Sequence, residues 1–89
     1  MKKDDFRFRN FLQTVEKSHY RPMRRAMLDL CKITKSSYYN WIKGVATPSP
    51  KRRSVINAIA VKYGYKPVYP YNKISSINIP DYNSYDTQS

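Results

Sequence analysis

Apolar residues recur at helical spacing in four segments of this chain, and that pattern limits the fold more than any other sequence feature. In the first segment Phe8, Phe11, Leu12 and Val15 occupy positions i, i+3, i+4 and i+7. Side chains at this spacing share one face of an α-helix, and such a face must be buried against another element. A chain of 89 residues has the length of one domain. The sequence therefore predicts a compact all-α bundle of four helices.

Residues that favour helix ends divide the four segments. The predicted helices cover residues 5–17, 22–32, 34–43 and 50–63, with a break at residues 18–21. Asp4 or Asp5 is expected to cap the first helix, because a carboxylate accepts the free amide hydrogens there. The other signals are prolines for a first turn, hydroxyl side chains for an N-cap and glycines for a left-handed end. They are Pro22, Thr34, Gly44, Ser49, Pro50 and Gly64.

The chain changes character after the fourth helix. A helical domain is predicted at residues 1–66, and an irregular, tyrosine-rich C-terminal tail at residues 67–89. One short strand is expected around residues 73–79, where isoleucines alternate imperfectly with polar residues. Residues 65–71 are expected to pack back on the helices through their aromatic rings. The last eight or so residues are expected to be disordered, because they are polar and terminal.

Positive charge is strongly in excess in the helical part. The whole chain has 17 Lys plus Arg against 6 Asp plus Glu, for a net charge of +11. No acidic residue lies between Asp29 and Asp81. A chain so far from neutrality attracts polyanions, of which nucleic acid is the first candidate and an anionic membrane the second. No stretch approaches the roughly 20 apolar residues that cross a bilayer, so a membrane is not an expected partner.

The reactive residues are too few and too scattered for catalysis. Cys31 is the single cysteine, so an internal disulfide is excluded, and its place on an apolar helix face indicates a buried thiol. Glu16 and Asp29 are single carboxylates on different predicted helices, without a glycine-rich phosphate loop or a His–Cys cluster. No enzyme activity, metal, cofactor or small-molecule substrate is therefore expected. The lone cysteine and the lack of a signal peptide predict a cytoplasmic protein.

The second and third predicted helices have the requirements of a helix-turn-helix. Ile33 supplies a buried aliphatic residue in the turn, and Tyr38 and Trp41 supply the buried side of the second helix. The outward residues of that helix are all able to donate a hydrogen bond, and none is acidic. These expected base-reading residues are Lys35, Ser36, Tyr39, Asn40 and Lys43. Asparagine can pair with adenine through both atoms of its amide, and lysine can donate to guanine, in the DNA major groove.

A second group of residues is expected to contact DNA phosphates. Cations at a helix N-terminus oppose the helix dipole, so a phosphate partner explains them better than a solvated turn does. The capped start of the third helix adds free backbone amides that favour an anion. The expected phosphate-binding residues are Arg24, Arg25, Thr34, Lys51, Arg52 and Arg53.

The run MLDLCKITKSSYYNWIKG at residues 27–44, followed by Pro48 and a helix ending AVKYG at residues 60–64, resembles a known family. It is similar to the lambda-repressor-like (Cro/repressor, XRE-type) helix-turn-helix DNA-binding domain, over about residues 22–64. The resemblance implies that the five outward residues face the groove, and that the helix start at residues 22–25 approaches the DNA backbone. It also leaves open a fifth helix, which would follow Gly64, and a homodimer. The turn position that is usually glycine in the family is Lys32, so either this residue takes a strained conformation or the turn differs.

The expected function is sequence-specific binding of double-stranded DNA by a small transcriptional regulator of the phage or mobile-element type. Two alternatives are open, the first from another class of protein and the second within DNA binding. One is a helical protein-interaction module, antitoxin-like or adaptor, whose tyrosine-rich tail binds a partner. The other is an accessory factor of recombination or transposition, since the run SYYNW at residues 37–41 also resembles some transposase segments. RNA binding is a further reading, weakened because most tyrosines lie away from the basic residues.

Overall fold

The computed structural model describes residues 5–80 and Tyr82. Within them lie four helices and no strand: α1 (Arg7–Thr14), α2 (Lys17–Leu30), α3 (Lys35–Lys43) and α4 (Pro50–Lys62). The predicted all-α class is confirmed. The strand expected at residues 73–79 is wrong, because that segment is irregular. The disorder expected for the last eight or so residues falls almost wholly on residues 83–89, which lie outside the described part of the chain.

The helices pack in two pairs around one core, with α2 against α4 and α1 against α3. Phe8 of α1 packs on α3, since its ring meets Tyr38 edge-on at 5.5 Å and Trp41 edge-on at 5.7 Å between centroids. Edge-to-face contacts of this kind stabilise an aromatic pair beyond the area that it buries. Tyr38 is 0% exposed and Trp41 4% exposed, which confirms the predicted buried side of the third helix.

Helix α2 begins at Lys17, five residues before its predicted start at Pro22. Pro22 therefore lies inside the helix, and residues 18–21 continue the helix instead of breaking it. The missing amide hydrogen of Pro22 deprives only Ser18 of a donor, and Ser18 lies in the first turn and is exposed to water. The Pro22 ring is fully buried, and this burial offsets part of the cost of the lost hydrogen bond.

Helix α1 is shorter than the predicted range of residues 5–17. Val15 is extended, at φ −79° and ψ 134°, and this ends the helix after Thr14. The expected cap is partly present, because Asp5 Oδ1 accepts a hydrogen bond of 3.1 Å from the Arg7 amide. The N-cap position itself belongs to Phe6, and Asp4 lies outside the described residues.

Helices α2, α3 and α4 end in the same way. In each, an amide two or three residues past the helix donates to the carbonyl five residues before it: Ile33 to Leu28, Val45 to Asn40 and Tyr65 to Ala60. This closure needs a left-handed residue just before the donating one. Those residues are Lys32 (φ 55°), Gly44 (φ 81°) and Gly64 (φ 89°). The predicted glycine ends are confirmed, and Lys32 takes the left-handed conformation without being a glycine.

Residues 65–80, here called the strap, run back along α4. Asn57 of α4 is 0% exposed and holds the strap by its side-chain amide. Its Nδ2 donates to the Tyr69 carbonyl at 2.9 Å, and its Oδ1 accepts from the Tyr69 amide at 2.8 Å. Farther along, the Ser75 amide donates to the Ser54 carbonyl at 3.1 Å. Tyr69 is 1% exposed and Tyr65 is half-buried, which confirms the predicted packing for these two rings, whereas Tyr71 is 96% exposed and does not pack on the helices.

Candidate nucleic-acid interface

Helix α3 has one buried side and one exposed polar side. Thr34 caps it, because the Thr34 Oγ1 accepts a hydrogen bond of 3.2 Å from the Ser37 amide, as predicted. The spacing i, i+1, i+4, i+5, i+8 then places five side chains on the side away from the core. The structure leaves all five exposed: Lys35, Ser36, Tyr39, Asn40 and Lys43. Within the described residues, the side chain of Asn40 has no hydrogen-bond partner, so both atoms of its amide can meet a ligand.

Tyr39 joins this exposed side to helix α2. Its hydroxyl accepts a hydrogen bond of 3.5 Å from Nη1 of Arg24, which is half-buried. Beside it lies a cleft of about 190 Å³, here called the arginine cleft. The cleft is lined by Arg21, Arg24, Arg25, Leu28 and Lys35. The exposed side of α3 and the cations of α2 therefore form one continuous surface.

Arg21 is a residue of this surface that the sequence analysis missed. The sequence predicts a break at residues 18–21, and a residue in such a break has no helix face to which it can be assigned. With α2 beginning at Lys17, Arg21, Arg24, Arg25 and Leu28 fall at i, i+3, i+4 and i+7 on one helix face. This periodicity is present in the sequence, but Pro22 and the polar run before it favoured a helix start at Pro22.

The arginine cleft favours an anion. No acidic side chain among the described residues lines it, so four cations face one cavity. Like charges held this close repel one another, and a bound anion relieves that repulsion. Asp29, the acid next to Leu28 on α2, accepts a hydrogen bond from the Tyr82 hydroxyl instead.

The predicted phosphate residues of α4 lie apart from this cleft and contact the protein itself. Nε of Arg52 donates to the Cys31 carbonyl at 3.1 Å, which satisfies a free carbonyl at the end of α2. The Arg53 guanidinium lies over the Tyr69 ring, 5.3 Å from its centroid, and is half-buried. Lys51 is exposed beside Arg52. Their binding to phosphate stays a prediction, and internal contacts already account for the two arginines.

The reactive side chains of the described part stand singly. Cys31 is 5% exposed, and burial raises the pKa of its thiol to about 11, so it stays protonated near neutral pH. Across residues 5–80 and Tyr82, no three His, Cys, Asp or Glu side chains gather where they could hold a metal ion. None of the described helices is long and apolar enough to cross a membrane.

Comparison of the chain with protein-family models, with curated proteins and with solved structures gives no match.

Proposed function

We propose that this chain binds double-stranded DNA in a sequence-specific way, with α2 and α3 as a helix-turn-helix and α3 as the reading helix. One observation carries the proposal. The exposed side of α3 offers five hydrogen-bonding side chains and no acid, and it continues into the cationic arginine cleft of α2. Base reading and phosphate binding require these two chemistries side by side.

The dimensions of α3 suit the major groove. An α-helix with its side chains is about 10–12 Å across, which fits a groove about 12 Å wide. Asn40 lies near the middle of the exposed side and can pair with an adenine through both atoms of its amide. Lys35 and Lys43, at the two ends, can donate to guanines or to phosphates. The arginine cleft, beside Tyr39, would then receive the phosphates of a flanking strand.

The resemblance to lambda-repressor-like domains supports a more specific role, that of a small regulator of transcription on a phage or a mobile element. A cytoplasmic location follows from that role. A homodimer would place two reading helices in successive major grooves, about one helical turn of DNA apart.

Selection of bound duplexes from a random pool tests the proposal. We expect one short motif to be enriched, and a two-fold symmetric motif would indicate a dimer. Enrichment of no motif from the pool would overturn the sequence-specific reading. Binding of single-stranded RNA in preference to the selected duplex would overturn the assignment to double-stranded DNA.

A further inference from the structure

A second cationic cavity lies between the end of α2, the start of α4 and the strap. It has a volume of about 580 Å³, which is in the range of ligand and peptide pockets. Three cations line it, and three aliphatic side chains line it with them: Lys32, Lys51, Arg52, Leu30, Val55 and Ile77. We call this cavity the lysine groove. Its aliphatic lining distinguishes it from the arginine cleft, where Leu28 is the single apolar residue among those described.

Ile77 gives the groove an accessible apolar wall. It is 41% exposed although it is a large aliphatic residue, and it belongs to the strap rather than to a helix. Val55 and Leu30 contribute further apolar surface from α4 and α2. A ligand that covers this surface gains from the burial of apolar area, which a phosphodiester cannot do.

The conformation of Lys32 points to a role for its side chain. Three helices end with the same closure, and the other two place the only two glycines of the chain at the left-handed residue. A lysine at the third position is strained, because its Cβ crowds the backbone in this conformation. Strain of this kind persists mostly where the side chain has a function. The Lys32 side chain lines the groove.

Arg52 is held at the same cavity. Its Nε is fixed by the hydrogen bond to the Cys31 carbonyl, so the guanidinium loses little further freedom when a carboxylate binds. Lys51, the neighbour of Arg52, adds an exposed ammonium group. The groove therefore offers fixed and mobile cations around an aliphatic surface.

We infer that the lysine groove is a docking site for a segment of a partner protein that combines carboxylates with aliphatic side chains. The three cations are complementary to the carboxylates, and the aliphatic lining to the apolar side chains. A second copy of this chain fits poorly, because its own charge of +11 would bring cations against cations. DNA would satisfy the cations and leave the aliphatic surface without a counterpart.

Peptide binding tests this inference on the full chain, without DNA. The probe is a short fluorescein-labelled peptide that alternates glutamate with leucine, and binding is followed by anisotropy. One control replaces glutamate with glutamine and the other replaces leucine with serine. We expect the glutamine control to bind about tenfold more weakly, since three screened ion pairs are lost. The serine control should also be weaker. Equal binding of the probe and either control would overturn the inference.

Variants of the groove locate the binding site. Lys32→Gln removes the charge and keeps the strain, whereas Lys32→Gly removes both. Each should weaken the probe about two- to fivefold, while Lys32→Gly unfolds at a temperature no lower than the unaltered chain. Ile77→Ser should weaken it as well. Lys62→Gln is the matched control, since it removes an exposed charge at the other end of α4. Probe binding by Lys32→Gln that equals that of Lys62→Gln would overturn the inference.

A random-sequence duplex distinguishes the partner class. Duplex affinity should be equal in Lys32→Gln and Lys62→Gln, because neither residue belongs to the proposed DNA surface. A greater loss of duplex affinity in Lys32→Gln would make the groove a DNA surface and overturn the inference. The peptide measurements do not depend on the proposed DNA binding, so either idea can fail while the other stands.

Discussion

Gly44 and Gly64 have the same left-handed conformation and different surroundings. A Cβ added at Gly44 would lie 2.9 Å from Cε1 of Phe6 and 3.2 Å from the carbonyl oxygen of Asp5, and one added at Gly64 would have no atom within 4 Å. The backbone of Gly44 is also fixed, because its carbonyl accepts from the Asp5 amide at 3.1 Å. A substitution at Gly64 therefore measures the cost of the left-handed conformation alone, whereas one at Gly44 adds the cost of crowding.

We expect Gly64→Ala to reduce the free energy of unfolding by about 1 kcal/mol. The left-handed conformation strains the alanine, and the lower entropy of alanine in the unfolded chain offsets part of that strain. Gly44→Ala should cost at least about 1 kcal/mol more, because overpacking is added to the same strain. Urea denaturation of the two variants measures the difference. Equal losses in the free energy of unfolding would contradict this account. They would show that Asp5 and Phe6 move away from the added methyl group at little cost.

Asn40 is the residue on which base reading depends most directly. Replacing Asn40 with Ala should leave stability unchanged, because the side chain is exposed and has no partner in the described chain. Specific affinity for the selected duplex should fall by about 1–3 kcal/mol, and affinity for a random duplex should hardly change. Asn10→Ala is the control, an exposed asparagine on α1. If the Asn40 variant binds the selected site as tightly as the Asn10 variant, the reading face is elsewhere.

At the scale of elements, the strap depends on one side chain in the middle of α4. The Asn57 amide makes the pair of short bonds to Tyr69, and its Nδ2 also reaches the carbonyls of Asn72 at 3.3 Å and Lys73 at 3.2 Å. Tyr69 in turn lies against the guanidinium groups of Arg7 and Arg53, at 5.0 and 5.3 Å. One polar residue thus couples an irregular segment to the helical core.

Replacing Asn57 with Ala should therefore destabilise the fold by about 2–4 kcal/mol. The change leaves the buried Tyr69 amide and carbonyl without partners and removes side-chain volume from the core. Hydrogen exchange should show the Tyr69 amide losing protection while the amides inside α3 keep theirs at moderate denaturant. Asn78→Ala, an exposed change on the strap, should leave both measurements unaltered. Full protection of Tyr69 in the Asn57 variant would contradict this account.

Local sequence signals predicted α3 and α4 well. They failed where contacts between residues far apart in the sequence determine the structure. Thr34, Gly44 and Ser49 act through neighbours within one turn, so their roles can be deduced from residue type. The start of α2 could not be deduced in this way. Proline prefers the first turn of a helix, but at Pro22 the burial of the ring outweighs that local preference. Asn57 is polar among apolar neighbours, and its partners on the strap are at least 12 residues away in sequence. Of the candidate site, the exposed side of α3 was predicted, whereas Arg21 was missed because the start of α2 was placed at Pro22.

At the scale of the whole molecule, positive charge falls on surfaces of different kinds. The arginine cleft adjoins α3 and is lined by four cations and Leu28, whereas the lysine groove is lined by three cations and three aliphatic side chains. Arg52, which also lines the groove, and Arg53 contact the fold itself. Net charge alone therefore overstates the number of cations that are available to DNA, and the salt dependence of binding counts them more directly.

We expect about four phosphate contacts, from the four cations of the arginine cleft, and therefore a slope near −4 for log affinity against log salt. Arg21→Ala combined with Arg25→Ala should bring the slope to about −2, because each lost contact releases about one counterion fewer. Both side chains are exposed and have no hydrogen bond within the described chain, so the fold should be retained. Lys62→Ala combined with Lys66→Ala removes the same charge from exposed sites outside the cleft and should leave the slope near −4. Equal slopes for the two double variants would mean that DNA senses only the total charge, and that the cleft is not where the phosphates bind.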